Sequence, residues 1–314
     1  MDAALSIVPV FFVIFLGAGA KRLGFFPDVF IREANRLAFY VGVPALLFVK
    51  LSDTPFRETY EINLVLMPCV SILLVWFLSL LLVKVSRRSN PRAAASFVQT
   101  SMHGNIGYIG FAVVFYLMGD VGLGIAGFMA PFIILLHNTL SVLSFNMYSR
   151  TEHSARTSFP FPHVVRTICL NPIIIASFAG LACSFFGLDL PMVIHRSLEI
   201  IASMALPLAL LIIGASLSLS RMSTNLIWLI ASLILKLLLL PGVGFALLYH
   251  AGAQILSIKV AAILLGAPAA TVSVIMSGEM NGDVTFASSQ VTVSTLVSAL
   301  TFCFWTYLIG TIGP

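Results

Sequence analysis

The chain has 314 residues, 59% of them hydrophobic and only 9% charged, whereas a soluble globular domain carries about 25% charged residues; a soluble reading is excluded. At about 20 residues per span the apolar part has room for roughly nine or ten membrane helices and leaves little for a soluble domain. The 17 Lys+Arg against 12 Asp+Glu give a net charge of +5, which in so apolar a chain belongs to cytoplasmic loops and not to a nucleic-acid surface.

Reading apolar runs between charged or turn-rich breaks predicts ten segments in an all-α membrane protein. The first, Leu5 to Ala20, precedes Lys21 and Arg22. A signal peptide puts positive charge before its apolar run, so a retained helix is expected. Asn35 to Leu51 follows, with Pro44 as a kink or hinge. Ile62 to Val83 is apolar throughout, whereas the fourth segment, Ala93 to Met118, carries Gln99-Thr100-Ser101-Met102-His103-Gly104-Asn105-Ile106-Gly107-Tyr108-Ile109-Gly110 in mid-span. A lipid-facing helix is not expected to hold Gln, His and Asn there. The glycines let the backbone unwind, which is tolerated at membrane depth where it lines a cavity or is buried in protein.

Val121 to Tyr148 forms the fifth segment and contains His137 and Asn138. A loop over 151–163 leads to Val164 to Phe186 and then to Ile194 to Leu217, with Pro207 as the second kink or hinge. Leu226 to Tyr249 has Lys236 near its middle. In the ninth segment, Leu256 to Met280, the stretch Gly266-Ala267-Pro268-Ala269-Ala270-Thr271-Val272-Ser273 places a proline with no N–H in mid-span. Phe286 to Ile312, which holds Gln290, closes the chain. Such long unalternating runs exclude a membrane barrel.

Basic residues set the orientation. The loops after segments one, three, five and seven hold Lys21, Arg22, Arg32, Arg36, Lys84, Arg87, Arg88, Arg92, Arg150, Arg156, Arg166 and Arg221; the other side holds only Lys50, Arg57, Arg196 and Lys259. The positive-inside rule puts both termini outside a cell membrane. Cys69, Cys169, Cys183 and Cys303 lie in apolar runs without ligand spacing and read as buried hydrophobes.

An offset of 163 residues aligns helix-perturbing positions of the two halves without a gap: Pro9 with Pro172, Gly17 with Gly180, Gly24 with Gly187, Pro44 with Pro207, Asn105 with Pro268, and Gly119-Asp120-Val121 with Gly282-Asp283-Val284. Five spans per repeat is an odd number, so residues 1–150 and 164–314 are expected to form inverted repeats, an arrangement characteristic of secondary transporters. Broken helices at repeat-related positions point to a substrate site, with Gly104, Asn105, Gly107, Pro268 and Thr271 as candidate lining residues. The free N–H groups of half-helix N-termini suit a carboxylate.

Lys236 reads in three ways: it neutralises an anionic substrate, pairs with a carboxylate, or snorkels along a locally buried face. His103 and His137 are either titrating groups in a wet cavity or neutral hydrogen-bonding partners. Asn138 is a candidate for direct binding, because an amide satisfies a carboxylate without first losing a charge. Asp120 and Asp283 read as turn or N-cap residues, with a proton relay as the sharper alternative. Gln99, Asn105 and Gln290 are the side chains available to a coupling sodium ion. No Walker A, H-E-x-x-H, G-x-S-x-G or dense His/Cys pattern occurs, so no enzyme, metal or cofactor is expected.

Asn35-Arg36-Leu37-Ala38-Phe39-Tyr40-Val41-Gly42-Val43-Pro44-Ala45-Leu46-Leu47-Phe48, His103-Gly104-Asn105-Ile106-Gly107-Tyr108-Ile109-Gly110, Asn171-Pro172 and the region from Gly282-Asp283 to Ser298, in that order and spacing, resemble the auxin efflux carrier family over essentially the whole chain. The resemblance implies ten helices in two inverted five-helix repeats, as in bile acid sodium symporters, with helices four and nine crossing at their broken centres. It further implies a scaffold, through which two copies could pair, and a mobile transport domain in an elevator arrangement, interleaved across both repeats. Asn105 and Asn138 would face substrate, and malonate, malate and auxin-like acids are the implied cargo. The plant members' long cytoplasmic loop has no counterpart, so phosphorylation there is not expected. The leading expectation is a carrier of small organic anions working by alternating access, through export or proton-linked transport. A sodium-coupled symporter and a membrane sensor that binds without carrying are the alternatives.

Overall fold

A computed structural model describes residues 3–55, 61–86, 90–148, 170–217, 222 and 225–312. The expected loop over 151–163, the start of the sixth segment at Val164, Cys169, and Arg57, Arg87, Arg88, Arg150, Arg156, Arg166 and Arg221 lie outside them. Among the described residues the elements are helices. They are α1 (Ala3–Arg22); α2 (Asp28–Leu37), running through a π turn at Ala38–Gly42 into α3 (Val43–Ser52); α4 (Asn63–Ser86); and α5 (Pro91–Met102). A second π turn, Ile106–Gly110, opens α6 (Phe111–Tyr148), followed by α7 (Pro172–Phe186) and α8 (Met192–Ser216). Next, α9 (Leu226–Ile234) passes through a third π turn, Leu235–Leu239, into α10 (Leu240–His250), and α11 (Ile255–Leu265), α12 (Val272–Glu279) and α13 (Val284–Ile312) complete the chain.

Among the described residues seven stretches are long and apolar enough to cross a membrane: Leu5–Arg22, Asp28–Ser52, Asn63–Ser86, Ile106–Tyr148, Met192–Ser216, Leu226–His250 and Val284–Thr311. The protein is therefore an all-helical membrane protein. The 38 residues of α6 would reach about 57 Å as one straight rod, against about 30 Å of hydrocarbon. The rod is broken at Gly119, whose φ of 63° and ψ of −156° suit glycine far better than any residue with a side chain. On α1, Leu5, Val8, Phe12 and Phe15 are exposed while Ile7, Val10, Phe11 and Ile14 are buried. Lipid takes up an apolar outer stripe of this kind, whereas water would not.

The second segment starts at Asp28 rather than at Asn35, because Asp28–Leu37 is amphipathic. Glu33 pairs with Arg32 at 3.1 Å and Arg36 at 3.0 Å on its exposed side, while Ala34 is buried. Two of the π turns start six residues before a proline, Pro44 and Pro241. Proline offers no N–H to the carbonyl four residues back and crowds it, and a π turn relieves the crowding. At Pro241 that carbonyl is Leu237's, which accepts from Trp305 Nε1 at 2.9 Å. By contrast, α8 runs through Pro207 without a break.

The helices pack most closely within two sets, which α6 and α13 bridge by also packing on α1, and α6 on α3 and α7. In one, α1 lies on α8, α7 on α3, and α3 on α8. Glycines let these backbones approach: a β-carbon on Gly17 would collide with the Leu211 carbonyl, and one on Gly180 would stand 2.7 Å from the Phe48 carbonyl oxygen. One on Gly42 would reach Ala205 Cβ at 3.2 Å. In the other set, α10 packs on α11 and α4, α6 on α5 and α11, and α13 on α11, α12 and α5. Cys69, Cys183 and Cys303 are free and half-buried rather than buried.

Candidate functional site

Where α5 stops, the chain is extended at His103 (φ −80°, ψ 104°). It then turns at Asn105 (φ −79°, ψ 67°), where the Ile106 N–H donates to the Gly104 carbonyl at 3.0 Å. This is an inverse γ-turn. The break after α11 runs antiparallel to it, with Gly104 opposite Ala269. Asn105 N–H donates to the Pro268 carbonyl at 2.7 Å, and Ala270 N–H to the His103 carbonyl at 3.1 Å. Backbone groups that would be bare at membrane depth thus satisfy one another. The Ala269 N–H goes to Ser294 Oγ on α13 at 3.0 Å. Pro268 needs no donor here, because its carbonyl makes the contact.

Beyond the breaks, α5 and α12 lie side by side and are joined by hydroxyls and an amide. Ser96 Oγ is 3.0 Å from Ser277 Oγ, and Gln99 Nε2 donates to Ser273 Oγ at 2.9 Å. Ser101 Oγ donates across to Ser232 Oγ of α9 at 3.1 Å. His103 Nδ1 lies 2.9 Å from Ser141 Oγ on α6 and 3.2 Å from Gln99 Nε2. The His103 and His137 rings sit 4.9 Å apart.

Several buried polar atoms around this crossing have no partner among the described residues. They are Asn105 Nδ2, both ring nitrogens of His137, Gln99 Oε1 and both amide atoms of Gln290. Gln290 lies one turn before Ser294 on α13, so both share a face. An unpaired buried polar group costs about 1–3 kcal/mol, and a set of them at one place has the chemistry of a site that a polar ligand or water completes.

Lys236 enters from the third π turn and is fully buried. Its Nζ donates to the carbonyl of Leu265, the last residue of α11, at 2.5 Å. A β-carbon on Gly104 would stand 2.9 Å from that Nζ and 3.2 Å from the Ala267 carbonyl oxygen. The ammonium therefore touches both broken helices. Among the described residues no carboxylate lies within ion-pair distance of it.

The structure thus brings together His103, Gly104, Asn105, Pro268, Lys236 and His137, with Gln290 on the helix behind them. Thr271 opens α12 and is half-buried. Asn138 is half-buried beside His137 on α6. Gly107 faces away, where a β-carbon would meet Ile173 of α7 at an ordinary 3.7 Å. Pro44 and Pro207 each lie two residues past the Gly42 and Ala205 contact, in the first helix set. Asp283 caps α13, its Oδ1 accepting from Phe286 N–H at 2.9 Å. Asp120 pairs with Lys50 at 2.7 Å.

Sequence alone did not single out Ser141, Ser232, Ser277 and Ser294. Hydroxyls recurring at helical spacing inside apolar spans, as at Ser273 and Ser277, were the available signal. Nor did it point to His195, whose Nε2 is 3.0 Å from Asp53 and whose Nδ1 is 3.6 Å from Glu199.

A family model described as membrane transport protein matches residues 3–306. The chain is 26% identical to a protein of Rhizobium meliloti named "Putative malonate transporter", over 96% of this chain and 94% of that one. It is 23% identical to an "Uncharacterized transporter" of Methanocaldococcus jannaschii, over 98% of both.

Proposed function

Because this chain belongs to the membrane transport protein family, that of the auxin efflux carriers, we propose that it is a secondary transporter that moves small organic anions across the cell membrane by alternating access. Carboxylates of the malonate and malate type are the cargo, and the relative named for malonate supports that choice. The family is one of transporters, not enzymes.

The observation that carries the reading is the crossing itself. Two interrupted helices meet at buried amide, imidazole and lysine groups, several of whose polar atoms lack partners among the described residues. Asn105, Gly104, Pro268 and Thr271 line the bound anion, with Gln290 and Asn138 on the neighbouring helices. A buried lysine at the crossing, with no carboxylate within ion-pair distance of it among the described residues, favours an anion over a free sodium ion as the bound species.

Two inverted five-helix repeats, residues 1–150 and 164–314, account for the packing. Gly17 rests on Leu211 and Gly180 on Phe48, so each contact is the other's counterpart at an offset of 163. Gly42 with Ala205, and Asn105 with Pro268, join residues to their own counterparts. Reciprocal and self-paired contacts are the signature of a twofold relation. On this reading α5 with the first part of α6, and α11 with α12, are the broken spans of a ten-span fold with both termini outside. The set around α1, α3, α7 and α8 is the scaffold, through which two copies would pair, and the set holding the crossing is the mobile domain. Pro44 and Pro207 lie where the scaffold halves meet, positions suited to a hinge.

Uptake into proteoliposomes of a panel of mono- and dicarboxylates, with proton and sodium gradients imposed separately, tests the reading. Accumulation of a dicarboxylate driven by the proton gradient is expected. Well-folded protein that moves no carboxylate under either gradient refutes it.

A further inference from the structure

The crossing holds a buried lysine, Lys236. The last carbonyls of a helix carry about half a negative charge, and in broken-helix transporters these C-terminal ends are where coupling cations bind. Here the C-terminal end of α11 is occupied: Lys236 Nζ donates to the Leu265 carbonyl at 2.5 Å, from a side chain with no exposure to solvent. The same ammonium stands against Gly104, at the break of the other helix, so closely that a β-carbon would come within 2.9 Å of it. An ammonium has three donors, of which one is spent on Leu265. Two remain at a place where Asn105 Nδ2 is also buried and unpaired. Proline geometry fixes the presentation, since the π turn at Leu235–Leu239 precedes Pro241 and Trp305 holds the Leu237 carbonyl.

We propose that Lys236 is the tethered counter-cation of the crossing: it fills the place of a free alkali cation at the end of α11, so that the carrier works without sodium, and turns its remaining donors to the carboxylate of the bound anion. Gly104 is the residue that makes room for it. The imidazoles of His103 and His137 are the other titratable groups within electrostatic reach of the ammonium. Its charge is balanced by the helix end and, in the loaded state, by the substrate. The transport half of this proposal rests on the organic-anion reading; the structural half does not.

Two arms separate them. In the first, proteoliposomes take up radiolabelled malonate in sodium or choline medium. Wild type is expected to run equally in both, and Lys236→Met, which keeps most of the unbranched side chain and drops its charge, to lose roughly tenfold or more, equivalent to about 1.4 kcal/mol or more. Methylammonium or ethylammonium should restore part of the loss in Lys236→Ala, which leaves room for a small cation. In the second arm, thermal unfolding of the full-length purified protein is followed in sodium and choline chloride without any substrate. Wild type should show no sodium-specific shift, whereas Lys236→Ala should unfold earlier in choline and be raised by sodium or ethylammonium. Full malonate uptake by Lys236→Met, or specific stabilisation or stimulation of wild type by sodium, overturns the proposal. If wild type moves no carboxylate at all, the organic-anion reading falls, and the unfolding arm still decides whether the lysine replaces a cation. If neither variant folds, the sodium response of wild type alone decides between support and refutation.

Discussion

Asn105→Ala has opposite expected effects on folding and on binding, which makes it the sharpest perturbation of the crossing. The backbone of Asn105 holds the break together, with its N–H on Pro268 at 2.7 Å and its carbonyl accepting from Gly110 at 3.0 Å. Alanine keeps both bonds and adopts the same γ-turn geometry without strain. The side-chain Nδ2 is buried with no partner, so its removal relieves a desolvation cost of about 1–3 kcal/mol. Unfolding of the empty protein should therefore occur at the same temperature or higher. Binding loses one hydrogen bond to a charged ligand, worth about 1.5–3 kcal/mol, which is roughly a 10- to 150-fold weaker Kd. Titration calorimetry with malonate on detergent-solubilised protein reads the affinity, and a thermal melt of the same sample reads the fold. A variant that melts early while binding as tightly as wild type would refute the reasoning, because Asn105 would then be a structural residue.

Further substitutions test the packing. A β-carbon on Gly214 would collide with the Ile14 carbonyl, whereas one on Gly19 meets nothing within 4 Å. Gly214→Ala should therefore lower stability by about 1–3 kcal/mol and Gly19→Ala raise it by about 0.5–1 kcal/mol, compared by thermal unfolding in one detergent. Asp283→Ala should cost about 1 kcal/mol through loss of the α13 cap, and Asp283→Asn should recover most of it; equal transport by Asp283→Asn and wild type would also dispose of a proton relay at this position. Lys50 and Asp120 form a partly exposed pair, so Lys50→Gln should change stability by less than about 1 kcal/mol, and any effect should fade in high salt.

Part of the candidate site was legible before any fold was known. Gly104, Asn105 and Pro268 stand out because glycine, a buried amide and proline each disturb a helix by themselves, whatever surrounds them. Lys236 stands out because charge inside an apolar run is costly anywhere. Its partner was not legible: a carboxylate was one expectation, and the bond goes to the Leu265 carbonyl. That carbonyl is free only because α11 ends there, and it lies within reach only because α10 packs on α11. Gly107, singled out with its neighbours, faces α7, since the turn after Asn105 rotates it away from Lys236.

Composition and local pattern by themselves determined that this chain is a helical membrane protein and that the stretches around Gly104 and Pro268 interrupt its helices. These follow from properties that a residue carries with it: transfer into hydrocarbon, backbone freedom, a missing N–H. Only the tertiary structure decided that the two interruptions pair through Asn105 and Pro268, that Ser96 meets Ser277, and that one ammonium touches both breaks. Those contacts join residues more than a hundred positions apart, or helix ends that meet only when particular faces pack. They depend on geometry summed over every helix between them, which no single stretch of sequence contains.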